Sequence, residues 1–178
     1  MKNKKLLLGI AWAWLTCLSA NAEVKLPAFF SDGMVMQQQT RANLWGTATP
    51  DAPVKITTSW DKQTYKTTAD AKGAWKLALS TPSAGGPYTI TFDDGKLTEI
   101  RDILMGELWL CSGQSNMEMP MKGFKNQPVE NSNTDVMNSR NPQLRLFTVK
   151  RSSSFTPKTD VVGTWQEAVP ATVREFSA

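Results

Sequence analysis

A serine hydroxyl becomes a useful nucleophile when the chain presents it at a bend and a neighbouring base takes its proton. One stretch of this sequence offers the bend. The run Gly106-Glu107-Leu108-Trp109-Leu110-Cys111 is mostly apolar and passes into Ser112-Gly113-Gln114-Ser115-Asn116-Met117. An interior strand that hands over to a helix through a tight turn is one place where hydrolytic folds expose a serine. Ser115 is the candidate catalytic residue. Backbone N–H groups of the turn, and the start of a following helix, would face a developing oxyanion. The competing reading makes Ser115 a plain helix N-cap, and the Gly-x-Ser-x spacing, common by chance, by itself favours that reading. Ser112 and Ser177 have weaker claims. The usual base is missing, because the chain contains no histidine.

Other reactive groups are few. Cys111 follows the apolar residues and is expected to be a small buried hydrophobe. With no histidine and two cysteines in the whole chain, a zinc site is not expected. The acids lack calcium-loop spacing, so the expectation is no metal and no cofactor. Glu118 is read as a charge suited to a helix start. Met117, Met119 and Met121 are read as packing around the turn. Trp45, Trp60 and Trp75 could stack on sugar rings or fill a core. Trp75 shares a strand face with Leu77 and Leu79, which favours the core, and Trp60 is the best candidate for exposure. Trp109 is expected beneath the nucleophile.

The elements that must position these groups begin after a targeting segment. Lys2, Lys4 and Lys5 precede the uncharged apolar stretch Leu6 to Leu18, and Ala20-Asn21-Ala22 forms a cleavage signature. Residues 1–22 are therefore expected to be a secretory signal peptide, with export to the periplasm or the cell exterior and no membrane attachment after cleavage. The whole chain has 20 Lys+Arg against 16 Asp+Glu, and three of those lysines lie in the first 22 residues. What remains is almost neutral and offers no basic surface for nucleic acid. Cys17 leaves with the signal, so Cys111 has no internal disulfide partner.

From Glu23 to about residue 101 the pattern is all-β. Val54 to Trp60 alternates with period two, and Trp75, Leu77 and Leu79 share one face of another strand. Asp70-Ala71-Lys72-Gly73 reads as a hairpin turn, residues 82–87 as a loop, and Asp93-Asp94-Gly95-Lys96 as a second hairpin. Short strands divided by Gly, Pro and Asp turns predict a β-sandwich of immunoglobulin-like or jelly-roll type over 23–101. Near Asp102 the character changes. Glu107 to Cys111 is apolar on both faces, the mark of a strand inside a parallel sheet. A helix start is expected from Ser115, limited by Pro120 and Gly123. A weak helical stripe covers Val136-Met137, and a strand covers Leu144 to Val149. The second domain is thus residues 102–178, an incomplete α/β unit.

The run Asp102 to Met121 closely resembles the signature of the sialate O-acetylesterases, a branch of the SGNH (GDSL-like) hydrolases. Leu26-Pro27-Ala28-Phe29-Phe30-Ser31-Asp32-Gly33-Met34-Val35-Met36-Gln37 is similar to the mature N-terminus of that family. Ala84 to Tyr88, Trp165 to Ala168 and Phe176-Ser177-Ala178 fit as well. The resemblance implies that Ser115 is the nucleophile of a three-layer α/β esterase domain. It implies as substrate an O-acetylated sialic acid or a related acetylated glycan, xylan among the alternatives. The family also carries a glycine and an asparagine for the oxyanion hole and a late Asp-x-x-His, and no position here matches them. The expectation is an N-terminal fragment holding one triad member and inactive alone. A different class of function, a secreted β-sandwich that binds glycans and carries a vestigial nucleophile segment, remains open on the sequence.

Overall fold

The computed structural model describes residues 23–177, so the expected signal segment 1–22 and the terminal Ala178 lie outside the described residues. Seven strands come first: β1 (Val35–Gln37), β2 (Arg41–Thr47), β3 (Pro53–Thr58), β4 (Thr64–Thr68), β5 (Ala74–Ser80), β6 (Gly85–Asp93) and β7 (Leu97–Gly106). They form a five-stranded sheet in the order β1-β7-β6-β3-β4 and a two-stranded sheet of β2 and β5. β1 runs parallel to β7, and the other pairs are antiparallel.

The period-two alternation produces the core directly. In β3, Val54, Ile56 and Thr58 are buried while Lys55 and Thr57 face water. In β5, Trp75 and Leu79 point the same way and are buried. They meet Leu44 of β2 and, from the larger sheet, Ile56, Ile90, Phe92, Ile103 and Met105 in one apolar cluster. The rings of Trp75 and Phe92 lie 5.8 Å apart, which ties the small sheet to the large one. Each such side chain, once fully removed from water, contributes about 1.5–3 kcal/mol. Gly46 is required where β2 crosses this layer. A Cβ there would lie 2.4 Å from the Lys25 carbonyl oxygen and 2.9 Å from Trp75.

Several sequence expectations need local correction. Asp70 to Gly73 does form a tight turn, with Asp70 Oδ1 accepting from the N–H groups of Lys72 and Ala74 at 2.8 and 2.9 Å. It is a corner between sheets rather than a hairpin, because β5 finds its ladder partner in β2. The all-β pattern read from Glu23 onward yields no strand before β1, only a single bridge between Lys25 and Thr47. β6 starts at Gly85, inside the expected loop. The Asp93–Lys96 hairpin is present, joining Asp93 to Leu97.

β7 runs through Asp102 and ends at Gly106. Its pairing with β6 shifts register there, and Asp102 has φ +55°, a conformation that Asp tolerates better than most residues. Beyond Gly106 the described residues hold little regular structure: a 3-10 turn (Ser115–Glu118), α1 (Ser132–Met137), β8 (Asn141–Phe147), β9 (Trp165–Ala168) and α2 (Pro170–Val173). The whole is mostly β with few helical residues. Among the described residues no helix is long and apolar enough to cross a membrane.

β8 and β9 pair antiparallel and contact Asp102 of β7 and the segment before β1. Arg145 of β8 fixes them there. Its side chain is 5% exposed, with Nη2 3.0 Å from Asp102 Oδ2 and Nη1 3.0 Å from Glu167 Oε1. Trp165 donates its ring N–H to the Phe29 carbonyl at 2.8 Å.

Candidate active site

Ser115 is the first residue of the 3-10 turn and is exposed. The turn closes with Met117 N–H donating to the Gln114 carbonyl at 2.9 Å. Gly113 allows it, since a Cβ at that position would come within 2.8 Å of Met117 Cγ. The expected helix start is thus one tight turn, stopped before the buried Pro120.

The segment before the turn departs from expectation. Glu107 to Cys111 was expected to be a strand with both faces buried. It is irregular, with Leu108, Trp109 and Leu110 exposed by 51%, 83% and 91%. Cys111, expected to be buried, is a free and exposed thiol. A strand of this kind is buried only when strands flank it and layers cover both faces. Among the described residues no strand pairs with it.

The loop is nevertheless held at both ends. Upstream, Glu107 accepts hydrogen bonds from Gln37 Nε2 at 3.0 Å and Gln38 Nε2 at 2.7 Å. The same contacts, Gln38 foremost, hold the Glu107 carboxyl below its ordinary pKa. Downstream, Met121 N–H donates to the Phe176 carbonyl at 3.0 Å, and Lys122 N–H to the Arg174 carbonyl at 3.1 Å. Glu118 is engaged by Arg151 at 2.5 Å, so its carboxylate serves an ion pair. Ser112 lies exposed in the irregular stretch, and Ser177 follows α2 half-buried. Neither stands at the start of a turn.

The tryptophans separate clearly. Trp75 is 3% exposed. Trp45 packs edge-on against Phe29 and Phe30, with centroids 5.2 and 4.8 Å away, and its ring N–H donates to the Thr159 carbonyl. Trp60, expected to be exposed, is half-buried against Tyr88 at 5.8 Å and donates to the Ser80 carbonyl. All three are packing residues, whereas Trp109 stands in water. Among the described residues no group of three or more His, Cys, Asp or Glu is placed to hold a metal ion. A cleft of about 220 Å³ between the sheet and the β8–β9 hairpin is lined by Asp102, Arg145, Trp165 and Gln166, and Ser115 is not among its residues.

Sequence reasoning missed two features. The Gln37, Gln38 and Glu107 contacts join residues far apart in the chain, and the only local signal was a lone acid opening an apolar run. Arg145 stood inside a strand pattern, where a charge between Leu144 and Leu146 marked the outward face rather than a buried anchor.

No family model matches the chain. Individual curated proteins do. The chain is 30% identical over 154 residues to the sialate O-acetylesterase of Pongo abelii, covering 81% of this chain and 29% of that protein. It is 31% identical over 141 residues to the sialate O-acetylesterase of Mus musculus, covering 74% and 25%. Against that of Homo sapiens the figures are 32% over 131 residues, 68% and 25%. Among solved structures it is similar to a carbohydrate acetylesterase from Xanthomonas citri, with a TM-score of 0.79 and 34% identity, covering 88% of this chain and 35% of that one. The chain therefore spans less than a third of the length of these curated relatives.

Proposed function

Because the chain belongs to the sialate O-acetylesterase family over the part it spans, we propose that it carries the nucleophile of an exported serine esterase acting on acetylated carbohydrate. The substrate class is O-acetylated sialic acid or a related acetylated glycan. The observation that supports this reading is an exposed Ser115 opening a tight turn, on a loop fastened at Glu107 and again at Met121 and Lys122.

Ser115 Oγ attacks the ester carbonyl, the carbonyl oxygen becomes an oxyanion beside the turn, and the sugar alcohol leaves. Water then releases acetate from the acyl-enzyme. The proton from Oγ needs an acceptor, and this chain has no histidine to take it. The acceptor and its orienting acid belong to the remainder of the protein, whose relatives are three to four times longer than the aligned part. The exposed Leu108, Trp109 and Leu110 fit the same reading. In the complete protein they form the apolar strand of a three-layer α/β domain that begins after Gly106, where β7 ends, rather than at residue 102, and that this remainder covers. The region from Glu23 to Gly106, where β7 carries the sheet past the expected boundary at 101, is then a sandwich of immunoglobulin-like or jelly-roll type, and residues 1–22 direct export.

The test compares two proteins and one substitution. In the complete protein, Ser115→Ala is expected to reduce release of acetate from p-nitrophenyl acetate and from O-acetylated sialic acid by at least roughly 10³-fold, with the circular dichroism spectrum unchanged. The 178-residue chain alone is expected to match its own Ser115→Ala control. Retained activity in the complete variant moves the nucleophile elsewhere. Serine-dependent turnover by the short chain refutes the need for a base outside it.

A further inference from the structure

The chain leaves the large sheet at Gly106, and side chains rather than a strand ladder govern its departure. Gln37 closes β1, opposite Gly106 in the parallel pairing. Gln38 follows, its backbone N–H donating to the Gly106 carbonyl at 2.9 Å. Both glutamine side chains then converge on Glu107. Gln37 Nε2 donates to Oε2 and Gln38 Nε2 to Oε1, so each carboxylate oxygen has its own amide donor. The glutamine carbonyls are used as well. Gln37 Oε1 accepts the Leu108 backbone N–H at 2.9 Å, and Gln38 Oε1 accepts that of Ala84 at 2.7 Å. One residue past the sheet, five hydrogen bonds fix the direction of the chain.

We propose that Gln37, Gln38 and Glu107 form a positioning clamp that aims the segment Leu108–Ser115 and so sets where the Ser115 hydroxyl meets the ester. The proposal rests on the reading of Ser115 as nucleophile. Between this clamp and the turn at Ser115 the described residues form no strand pairing, so the direction set at Glu107 and Leu108 is carried forward along the chain. Glu107 is exposed and the two glutamines are half-buried, with the hydrogen bonds between them open to water, and solvent-exposed polar contacts contribute little to stability. A misplacement of about 1 Å at a reacting atom, by contrast, costs on the order of 100-fold in rate. A clamp of this kind acts on turnover far more than on melting temperature, which separates positioning from a merely structural role.

The donor and acceptor pattern supplies a test by exchange. Glu107→Gln in the complete protein sets amide N–H groups against the amide N–H of Gln37 or Gln38. It is expected to lower kcat on p-nitrophenyl acetate by about 10- to 100-fold, with KM and Tm nearly unchanged. Gln37→Glu sets two carboxylates face to face. It is expected to lose as much at neutral pH and to recover as the pH falls and the pair shares one proton. The double variant Gln37→Glu with Glu107→Gln restores every partner: the new carboxylate accepts from Leu108 N–H and from the new amide, which also accepts from Gln38. Its kcat is expected within about threefold of the parent, and the Leu108 amide, whose hydrogen exchange is faster in both single variants, slows again. Parental kcat in Glu107→Gln overturns the proposal. So does a double variant no better than the singles, or a loss that follows Tm. If Ser115→Ala is fully active while Leu108 exchange behaves as expected, the clamp is real but the nucleophile is wrong, and the catalytic claim falls with that reading rather than with the contacts.

Discussion

Two parts of this molecule are equally rich in large apolar side chains and differ in what becomes of them. Up to Gly106 they turn inward. Phe92, Leu44, Ile56 and Ile90 are wholly out of water, and the small sheet closes over the large one through Trp75. After Gly106 many stand in solvent: Trp109, Leu110, Leu144, Val149, Phe155 and Val162 are all about half exposed or more. The first region carries its own second layer in β2 and β5. The second has one hairpin, β8 with β9, and leans on the first through Arg145 and Trp165. An apolar strand is an instruction to be covered, and whether it is covered depends on partners rather than on the strand.

The sharpest way to break this comparison is to truncate one aromatic on each side. Phe92→Ala empties a fully enclosed site between the sheets and is expected to destabilise the chain by about 3–5 kcal/mol. Trp109→Ala removes a larger ring and is expected to stay within about 0.5 kcal/mol. Urea unfolding of the 178-residue chain, followed by far-ultraviolet circular dichroism, reads both. A comparable loss at Trp109 would mean that the second region packs in solution as the first does.

A smaller effect sharpens the same contrast at the seam. Arg145 is nearly buried, whereas its partners Asp102 and Glu167 are about half exposed. Arg145→Ala is expected to cost about 2 kcal/mol or less, since water solvates the two acids on their open sides. The loss should be regional. Amide exchange is expected to quicken in β8 and β9 and to stay slow in β3 and β6. Uniform acceleration would make the two regions a single cooperative unit.

What could be read from the sequence follows the range of the interactions. The alternation Val54-Ile56-Thr58 sets a half-buried strand within a few residues, and β3 forms as expected. The strand around Leu144 to Phe147 was legible for the same reason, although β8 begins earlier, at Asn141. At Asp70 to Gly73 local chemistry gave the turn but not the partner. The side chain of Asp70 bends the backbone identically whether the next strand pairs with β4 or crosses to β2. The bend at Ser115 was legible, with the resemblance weighing more than the spacing. Its helix shrank to one turn because nothing packs on an apolar face. The Glu107 clamp and the Arg145 bridge were beyond local reasoning, because each joins residues whose proximity only the finished sheet creates.

The smallest expected effect lies wholly within the first region. Asp61 caps the turn between β3 and β4. Its carboxylate accepts the Gln63 N–H and the Tyr65 hydroxyl, each at 2.9 Å, together with the Thr58 hydroxyl. Burial opposes its ionisation, but the hydrogen bonds from Thr58, Gln63 and Tyr65 outweigh it and hold the carboxyl below its ordinary pKa. For a carboxyl whose folded pKa is depressed, the contribution to stability is present above the unfolded value and is lost as pH falls through the folded one. Asp61→Asn is therefore expected to lower Tm at pH 7, and the gap between variant and parent is expected to narrow below about pH 4. Because β3 and β4 lie in the region that buries its own core, the effect should be the same in the 178-residue chain and in the complete protein. A gap that stays constant with pH would reduce the Asp61 contacts to shape alone. A gap that appears only in the complete protein would mean that the first region, too, waits on the rest of the polypeptide.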